Sequence, residues 1–409
     1  MTEEILKRMI RKKELELNAL LEITQAINAN LPARSLFKIF NFTVRGNLKL
    51  TKIALYVWDN EWSCKVHFGT NADFSKTQLE DAFLSLKDEK DLSGNAAFGR
   101  FAEFDVVIPA VHKSQTLALV FVGGLDGLDP HEREETVKFI KALSNIIMVA
   151  VENKKLVREQ LKQEAFRKEL EIAGEVQQFL FPKSLPNTNR LKVEAGYWPH
   201  THVGGDYYDY IPIDRTRFLI CVADVSGKGI PAALLMSNFQ ASLHTLLRQT
   251  SDLAEIVHAL NYQVMENTKG EKFITFFGGI YDYEKKKLSY VNAGHNLPIL
   301  LTNEKTMLLE DGTTVLGAMD PLPFLNVGEV NDLTAFTLFS YTDGLTETSN
   351  ERGEELGADA VLKYMEGCQG KDLKTIHQDL MAALDNFKGT RSYLDDITML
   401  SCRVENEER

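Results

Sequence analysis

The chain has 409 residues, 44% hydrophobic and 25% charged, the balance of a folded globular protein with room for two or three domains. Its formal net charge of -12 excludes general affinity for nucleic acid or anionic lipid, which need concentrated positive charge, though not a local basic patch. Cys64, Cys221, Cys368 and Cys402 lie far apart, with no CxxC pair and no nearby histidine, a usage that fits buried thiols in a reducing compartment. Met1-Thr2-Glu3-Glu4 is too charged for a signal peptide, and no apolar run approaches the ~20 residues needed to span a bilayer. A cytoplasmic location without membrane insertion is expected.

No internal repeat or low-complexity stretch interrupts the chain. The first segment reads as a helix with Leu17, Leu20, Leu21, Ile23 and Ile27 on one side. Lys52–Trp58 and Ala118–Val122 read as strands, the second ending at Gly123-Gly124. Asp129 before Pro130 has the form of a helix start, a carboxylate cap followed by proline, and Val137, Ile140, Leu143, Ile147 and Val151 follow at helical spacing. That helix continues into Glu152–Phe181, where charged residues dominate. Ile147, Ala150, Val157 and Leu161 keep a 3,4 spacing; Ala165, Ile172, Val176 and Phe179 resume it after a step of four, a stutter that locally unwinds a coiled coil. Lys154, Glu164 and Lys168 weaken the seam, leaving two readings, a parallel dimeric coil or a solvated single helix between domains. Pro182 and Pro186 close the helix. The expected division is a first domain over 1–150, a helical linker over 151–183 and a second domain over 184–409.

Beyond the prolines the texture turns to strands: Phe218–Ala223, Phe273–Tyr283, Lys287–Asn292, Ala335–Tyr341 and Ile397–Val404. Between the first two, Ala232, Met236, Phe239, Leu243 and Leu246 make an amphipathic helix, and Leu253–Val264 makes another. Blocks of strands with helices between them and few βαβ units indicate α+β, with sheets covered by helices.

Several aspartates stand where an apolar strand stops. Phe218–Ala223 runs into Asp224, Ala335–Thr342 runs into Asp343-Gly344, and Asp395-Asp396 stands just before Ile397–Leu400. Asp206 follows Gly204-Gly205 and precedes an aromatic strand. Carboxylates at the ends of buried strands are rigid and poorly hydrated, and several converging would repel unless a cation neutralised them. Aspartates without histidine or cysteine partners are hard oxygen ligands suited to Mg²⁺ or Mn²⁺. Phosphoryl transfer to water uses such a cluster, with two cations arming a water molecule and balancing the phosphate's charge. No GxSxG or Cys-x₅-Arg loop offers a protein nucleophile instead. An isolated Asp-Gly pair is more often a turn than a ligand, and Asp311-Gly312 is read as one.

Ordered along the chain are Glu175-Val176-Gln177-Gln178-Phe179-Leu180-Phe181-Pro182, Val203-Gly204-Gly205-Asp206-Tyr207-Tyr208-Asp209 and Ala223-Asp224-Val225-Ser226-Gly227-Lys228-Gly229-Ile230-Pro231-Ala232-Ala233. Asn292-Ala293-Gly294-His295-Asn296, Tyr341-Thr342-Asp343-Gly344-Leu345-Thr346-Glu347 and Asp395-Asp396-Ile397-Thr398 follow. In these motifs the region from about 170 to 404 resembles the metal-dependent protein phosphatases of type 2C, in their SpoIIE-like and RsbU-like bacterial branch. The resemblance implies a sandwich of two β-sheets flanked by helices and a phosphoserine or phosphothreonine protein substrate, in this branch usually an anti-sigma-factor antagonist of the STAS fold. It implies two divalent cations, Mn²⁺ or Mg²⁺, with Asp224 bridging both and the Val225 carbonyl binding one. Asp343 and Asp395 would complete the other site, Asp206 acting directly or through water, with Asp396 the less settled of its pair. The arginine that grips phosphate in eukaryotic relatives has no placed equivalent. His295 either orients phosphate and protonates the leaving group or is a structural loop histidine. Lys228 lacks the upstream glycine and following Ser/Thr of a phosphate-binding P-loop.

Residues from about 15 to 150 resemble a GAF domain by pattern alone, a leading helix, strands, the Gly123-Gly124 turn and an exit helix. GAF domains commonly bind small molecules or serve as dimer contacts, so a signal ligand and a homodimer through the linker helix are expectations here. A lever follows, in which the helix up to Phe181 repositions the loops carrying Asp224 and Asp343. Two rivals are weaker. Gly204-Gly205-Asp206-Tyr207-Tyr208 is superficially similar to the diguanylate cyclase loop but has Tyr207 where that loop needs a second carboxylate, and a catalytically silent scaffold leaves the full set of carboxylates unexplained.

Overall fold

The computed structural model describes residues 3–93 and 95–405; Met1 and Thr2, part of the charged start, lie outside them. Two compact units cover Met1–Glu164 and Ala165–Arg409, and a single helix, Pro130–Gln178, runs through the division.

In the first unit, α1 (Glu3–Asn28) and α2 (Ala33–Phe42) precede the hairpin β1 (Lys52–Asp59) and β2 (Glu61–Phe68). After α3 (Asp81–Leu84) come β3 (Lys90–Asp91), β4 (Val106–His112), β5 (Gln115–Gly123) and then α4 (Pro130–Gln178), whose start is capped by Asp129 accepting the Glu132 N–H at 2.9 Å. The strands form an antiparallel sheet in the order β2-β1-β5-β4-β3. Its central strands are apolar at successive positions because both faces are covered. Ile53, Leu55, Ile108, Val120 and Val122 pack on α1, α2 and the first part of α4. Ala54, Tyr56, Val107, Leu119 and Phe121 face the other way, into Phe74, Phe83, Phe101 and Phe104. Ring centroids in that second layer stand 4.5 to 5.9 Å apart, and the Tyr56 hydroxyl donates to the carbonyls of Phe74 and Thr77 at 3.1 and 2.8 Å.

Two sequence expectations change here. On α1, Leu17 and Leu21 are 67% and 55% exposed, and the buried stripe is Glu16, Ala19, Ile23 and Ala26; the 3.6-residue period admits only one of the two neighbouring rows to the core. On α4, the first positions of the expected coil seam, Ile147 and Ala150, are taken up by the core of the first unit. The later positions Val157, Leu161, Ile172, Val176 and Phe179 stand exposed.

The second unit begins with β6 (Leu191–Trp198), β7 (Tyr207–Pro212) and β8 (Arg217–Val225), then α5 (Ile230–Leu247) and α6 (Leu253–Thr268). The strands β9 (Ile274–Asp282), β10 (Lys287–Ala293), β11 (Ile299–Leu301), β12 (Thr306–Leu308), β13 (Gly312–Thr313) and β14 (Gly328–Val330) follow. Last come β15 (Phe336–Tyr341), α7 (Asp343–Thr346), α8 (Ala358–Glu366), α9 (Leu373–Lys388) and β16 (Ile397–Val404). They build two sheets, β13-β10-β9-β8-β7 with β14 beside β10, and β12-β11-β15-β16-β6.

The two sheets face each other across one core, where Phe218, Ile220, Val222 and Phe277 meet Leu338, Leu400, Cys402 and Val404. Alternate residues of the same strands serve the outer layers: Leu219, Cys221 and Ala223 pack under α5 and α6, while Phe339, Tyr341, Ile397 and Met399 pack under α8 and α9. The unit is a helix-sheet-sheet-helix sandwich, the α+β arrangement that strands buried on both faces require. Asp311-Gly312 is not the expected turn. Gly312 begins β13, paired in parallel with β10, and the Tyr290 hydroxyl donates to Asp311 Oδ2 at 3.1 Å. Cys64, Cys221, Cys368 and Cys402 are free thiols, and among the described residues no helix is long and apolar enough to cross a membrane.

Phe121 lies against four other rings and is fully buried. Phe121→Ala should destabilise the first unit by about 3–5 kcal/mol, read as a shift of its chemical denaturation midpoint, with the second unit's transition unmoved.

Candidate active site

At one end of the sandwich the chain enters β7, leaves β8, leaves β15 and enters β16, and each passage carries an aspartate. Asp206 immediately precedes β7, Asp224 is the penultimate residue of β8, Asp343 follows β15 as the first residue of α7, and Asp395-Asp396 precede β16. The fold therefore brings to one place residues separated by up to 190 positions in sequence.

Asp206 is the most enclosed, at 1% exposure. Its Oδ2 accepts from the hydroxyls of Thr342 at 2.8 Å and Thr398 at 2.6 Å, and the same Thr342 hydroxyl oxygen accepts the Thr398 N–H at 2.9 Å. Burial, then the neighbouring Asp224, raises the Asp206 carboxyl well above the usual carboxylate range. Burial followed by the charge of Asp343 pushes Asp224 up to about 7, against a hydrogen bond with Asp206 that lowers it. Asp343 is raised too, by burial and then by Asp395.

The adjacent pair at the start of β16 splits its duties. Asp396 turns inward, where Oδ1 accepts the His200 N–H at 2.7 Å and Oδ2 the Gly205 N–H at 2.9 Å. Its neighbours are fitted closely, since a Cβ on Gly204 would stand 2.2 Å from Asp396 Oδ2 and one on Gly344 2.0 Å from the Asp396 carbonyl. This carboxylate fixes the loop that delivers Asp206. Asp395 instead forms an ion pair with Lys228 at 2.7 Å, and Lys228 also donates to the Leu394 carbonyl. Asp209, the second aspartate of the Asp206 motif, lies outside the group. It is buried on β7, accepting from the Tyr207 hydroxyl and paired with His244 Nε2 at 2.7 Å.

Asp206, Asp224, Asp343 and Asp395 thus crowd carboxyl against carboxyl with Lys228 as the cationic side chain beside them. Among the described residues no three acidic, histidine or cysteine side chains already close on one point; the aspartates are electrostatic neighbours rather than a finished ligand shell. The donor chemistry nonetheless fits hard divalent cations, because buried like-charged oxygens without soft ligands gain most from compact positive charge. Neither a thiolate nor an imidazole belongs to this group of aspartates, so its donors are not those of a zinc or copper site.

Sequence reasoning missed Thr342, Thr398 and Gln177. The threonines were legible only as polar residues in otherwise apolar strand ends. Gln177, near the end of α4, is buried and clamps Gly204 from both sides, Nε2 donating to its carbonyl at 2.8 Å and Oε1 accepting its N–H at 3.1 Å. His295 is 6% exposed, with Nδ1 2.9 Å from the Thr275 hydroxyl and its backbone N–H donating to Asn292 Oδ1 at 2.7 Å. Burial pushes its pKa down to about 4, so the ring is neutral near pH 7 and braces the loop after β10. Thr275 stands opposite Asp224 in the β8–β9 register.

Raised carboxyl pKa values have a stability consequence. The folded state holds these protons more tightly than the unfolded chain, so the contribution is full below about pH 4 and is lost as pH rises through about 7. With divalent cations chelated, the unfolding free energy of the second unit should fall by roughly 2–4 kcal/mol between pH 4 and pH 8. Millimolar Mn²⁺ should restore most of it at pH 8, and a flat chelated profile would show that the carboxyls are not crowded.

Residues 214–405 match the family described as Stage II sporulation protein E (SpoIIE). Phosphoserine phosphatase RsbU of Bacillus subtilis is 32% identical over 196 residues, covering 47% of this chain and 57% of that protein. Protein IcfG of Synechocystis sp. is 25% identical over 329 residues, 72% of this chain and 51% of that protein. The chain spans about half the length of these curated relatives. The solved SiaA-PP2C domain of Pseudomonas aeruginosa shares the fold, with a TM-score of 0.54 at 21% identity, covering 60% of this chain and 99% of that one. Residues 214–405 of the second unit thus match the SpoIIE family, and the unit has the fold of the solved SiaA-PP2C domain.

Proposed function

We propose that the protein is a metal-dependent protein serine/threonine phosphatase whose substrate is a phosphorylated STAS-type anti-sigma-factor antagonist in a partner-switching pathway. The observation that carries the reading is the crowding of Asp206, Asp224 and Asp343, with burial and mutual repulsion raising all three. Asp224, Asp343 and Asp395, with Asp206 and the Val225 carbonyl, would hold two Mn²⁺ or Mg²⁺ ions. Those ions, when bound, supply a deprotonated water at neutral pH and charge balance for phosphate.

The remaining work falls to the chain's own side chains. Thr342 and Thr398 aim Asp206 by donating to one oxygen, and the carboxyl meets Asp224 beside it. Asp396 belongs to the scaffold, through its two backbone N–H partners. Lys228, beside Asp395, is the cation placed to meet phosphate oxygens in a chain without an assigned phosphate-gripping arginine. His295 is buried and neutral, which favours its bracing role over proton donation.

The first unit is read as a GAF-like sensory domain, with α4 as the lever and the exposed row Val157, Leu161, Ile172, Val176 and Phe179 as the seam of a parallel homodimer. The end of α4 has a physical route to the chemistry. Gln177 grips Gly204, two residues before Asp206, and a Cβ on Gly174 would stand 2.2 Å from the His202 carbonyl. The lever would act first on the Asp206 loop, rather than on the loops of Asp224 and Asp343.

Phosphate release from a phosphorylated STAS-domain protein of the same cell tests the reading directly. Turnover should require Mn²⁺ or Mg²⁺, vanish with chelator, and fall roughly 10²–10³-fold in Asp224→Asn and Asp343→Asn, while circular dichroism stays unchanged. Full turnover in either variant overturns the assignment. Gln177→Ala removes two hydrogen bonds of about 1 kcal/mol each. It should raise the Mn²⁺ concentration for half-maximal activity roughly tenfold with kcat at saturating metal preserved; an unchanged metal requirement would disconnect α4 from the site.

A further inference from the structure

The first unit contains a groove of about 880 Å³ between α2, the β1–β2 hairpin and α4, within the range of small-molecule sites. Its floor is apolar, from Phe37, Val57, Val66, Met148 and Val151, with Trp58 as an aromatic wall. Its rim carries six Lys/Arg side chains against the two carboxylates Asp59 and Glu152. That is a local surplus of four positive charges in a chain whose formal net charge is -12.

The cations are not spent on structure alike. Lys155 pairs with Asp59 at 2.7 Å and Lys154 donates to the Leu31 carbonyl. Arg34, Lys38, Lys65 and Arg158 form no ion pair among the described residues. Four cations without a close ion-pair partner around one concavity repel each other, Lys65 feeling Asp59 only at longer range, and the arrangement is relieved by an anion. The opposite face of the sheet offers a ligand far less, because Tyr56, Phe74, Phe83, Phe101, Phe104 and Phe121 pack there as an interlocked, fully buried ring layer. Apolar floor, aromatic wall and cationic rim together describe an amphipathic guest.

We infer that the groove between α2, the β1–β2 hairpin and α4 is a binding site for a small organic anion, an apolar, preferably aromatic body ending in a carboxylate, sulfonate or phosphate. The body lies on Val57, Val66 and Met148 beside Trp58, and the charged end meets Arg34, Lys38, Lys65 and Arg158. Only the regulatory meaning of this binding rests on the sensory role proposed above; the site does not.

The test uses the full chain and two fluorescent probes of similar body and different charge, the anion 8-anilinonaphthalene-1-sulfonate and the neutral N-phenyl-1-naphthylamine. The combined variant Arg34→Gln, Lys38→Gln, Lys65→Gln and Arg158→Gln changes exposed side chains only, and a thermal melt matching the parent verifies its fold. The anionic probe is expected to bind saturably and to lose at least about tenfold in affinity in the variant, with the neutral probe unaffected. Trp58→Phe, in the otherwise native chain, should remove energy transfer from that indole to the bound probe. Equal loss of both probes, or no loss of the anion, overturns the site. Co-sedimentation with phosphatidylglycerol vesicles, with no anionic-probe binding in free solution, would also overturn it by moving the anion's source to a lipid surface. Phosphate release followed in the same titration separates the two ideas: probe bound at the groove with unchanged turnover keeps the site and removes the sensory role.

Discussion

The second unit depends on one buried carboxylate held by two hydroxyls from the other sheet. Asp206 immediately precedes β7 in one sheet, while Thr342 immediately follows β15 and Thr398 is the second residue of β16 in the other. A sandwich core of Phe, Leu and Val fixes the spacing of two sheets but not their relative slide, since apolar contact is non-directional. Hydrogen bonds from two threonines to one oxygen are directional, and in a site at 1% exposure an unmet carboxylate is costly. Those bonds set where the strand ends lie relative to one another, and the ends carry the remaining aspartates.

Crowding is then unavoidable. With Asp206 pinned, Asp224 emerges from the adjacent strand against it, and Asp343 follows Thr342 directly. Burial first, and repulsion from neighbouring carboxylates second, raise Asp206, Asp224 and Asp343 above the ordinary carboxylate range. Under the function proposed above, stability and chemistry pull in opposite directions here, as at sites that stabilise charge in a transition state. Asp396 adds its own charge to the group, and its two backbone hydrogen bonds and close glycine neighbours lock the Asp206 loop.

Much of this was legible in sequence because the strands are short, apolar and terminated by acids. Ile397–Val404 was read with the bounds it has in the structure, and Phe218–Ala223 falls within β8. The four-layer arrangement followed from the motifs' resemblance, and the strand burial on both faces gives it a physical reason. Less legible were features set by partners distant in sequence. Nothing local distinguishes Leu17 from Leu20 on α1, because the choice of face belongs to the sheet beneath. Asp311-Gly312 has the composition of a turn, and only the open edge of β10 makes Gly312 a strand residue. Gln177 reads as one more polar residue on a charged helix until Gly204 is seen against it.

The tandem Asp395-Asp396 carries an evolutionary consequence. Asp396 is tied to two backbone N–H groups around the Asp206 loop, whereas Asp395 pairs with Lys228, and it is Asp395 that the function proposed above uses. A descendant that lost Asp395 would keep a well-formed fold, whereas loss of Asp396 would release the backbone at His200 and Gly205. Under that function, drift towards an inert protein is open through the first position and closed through the second.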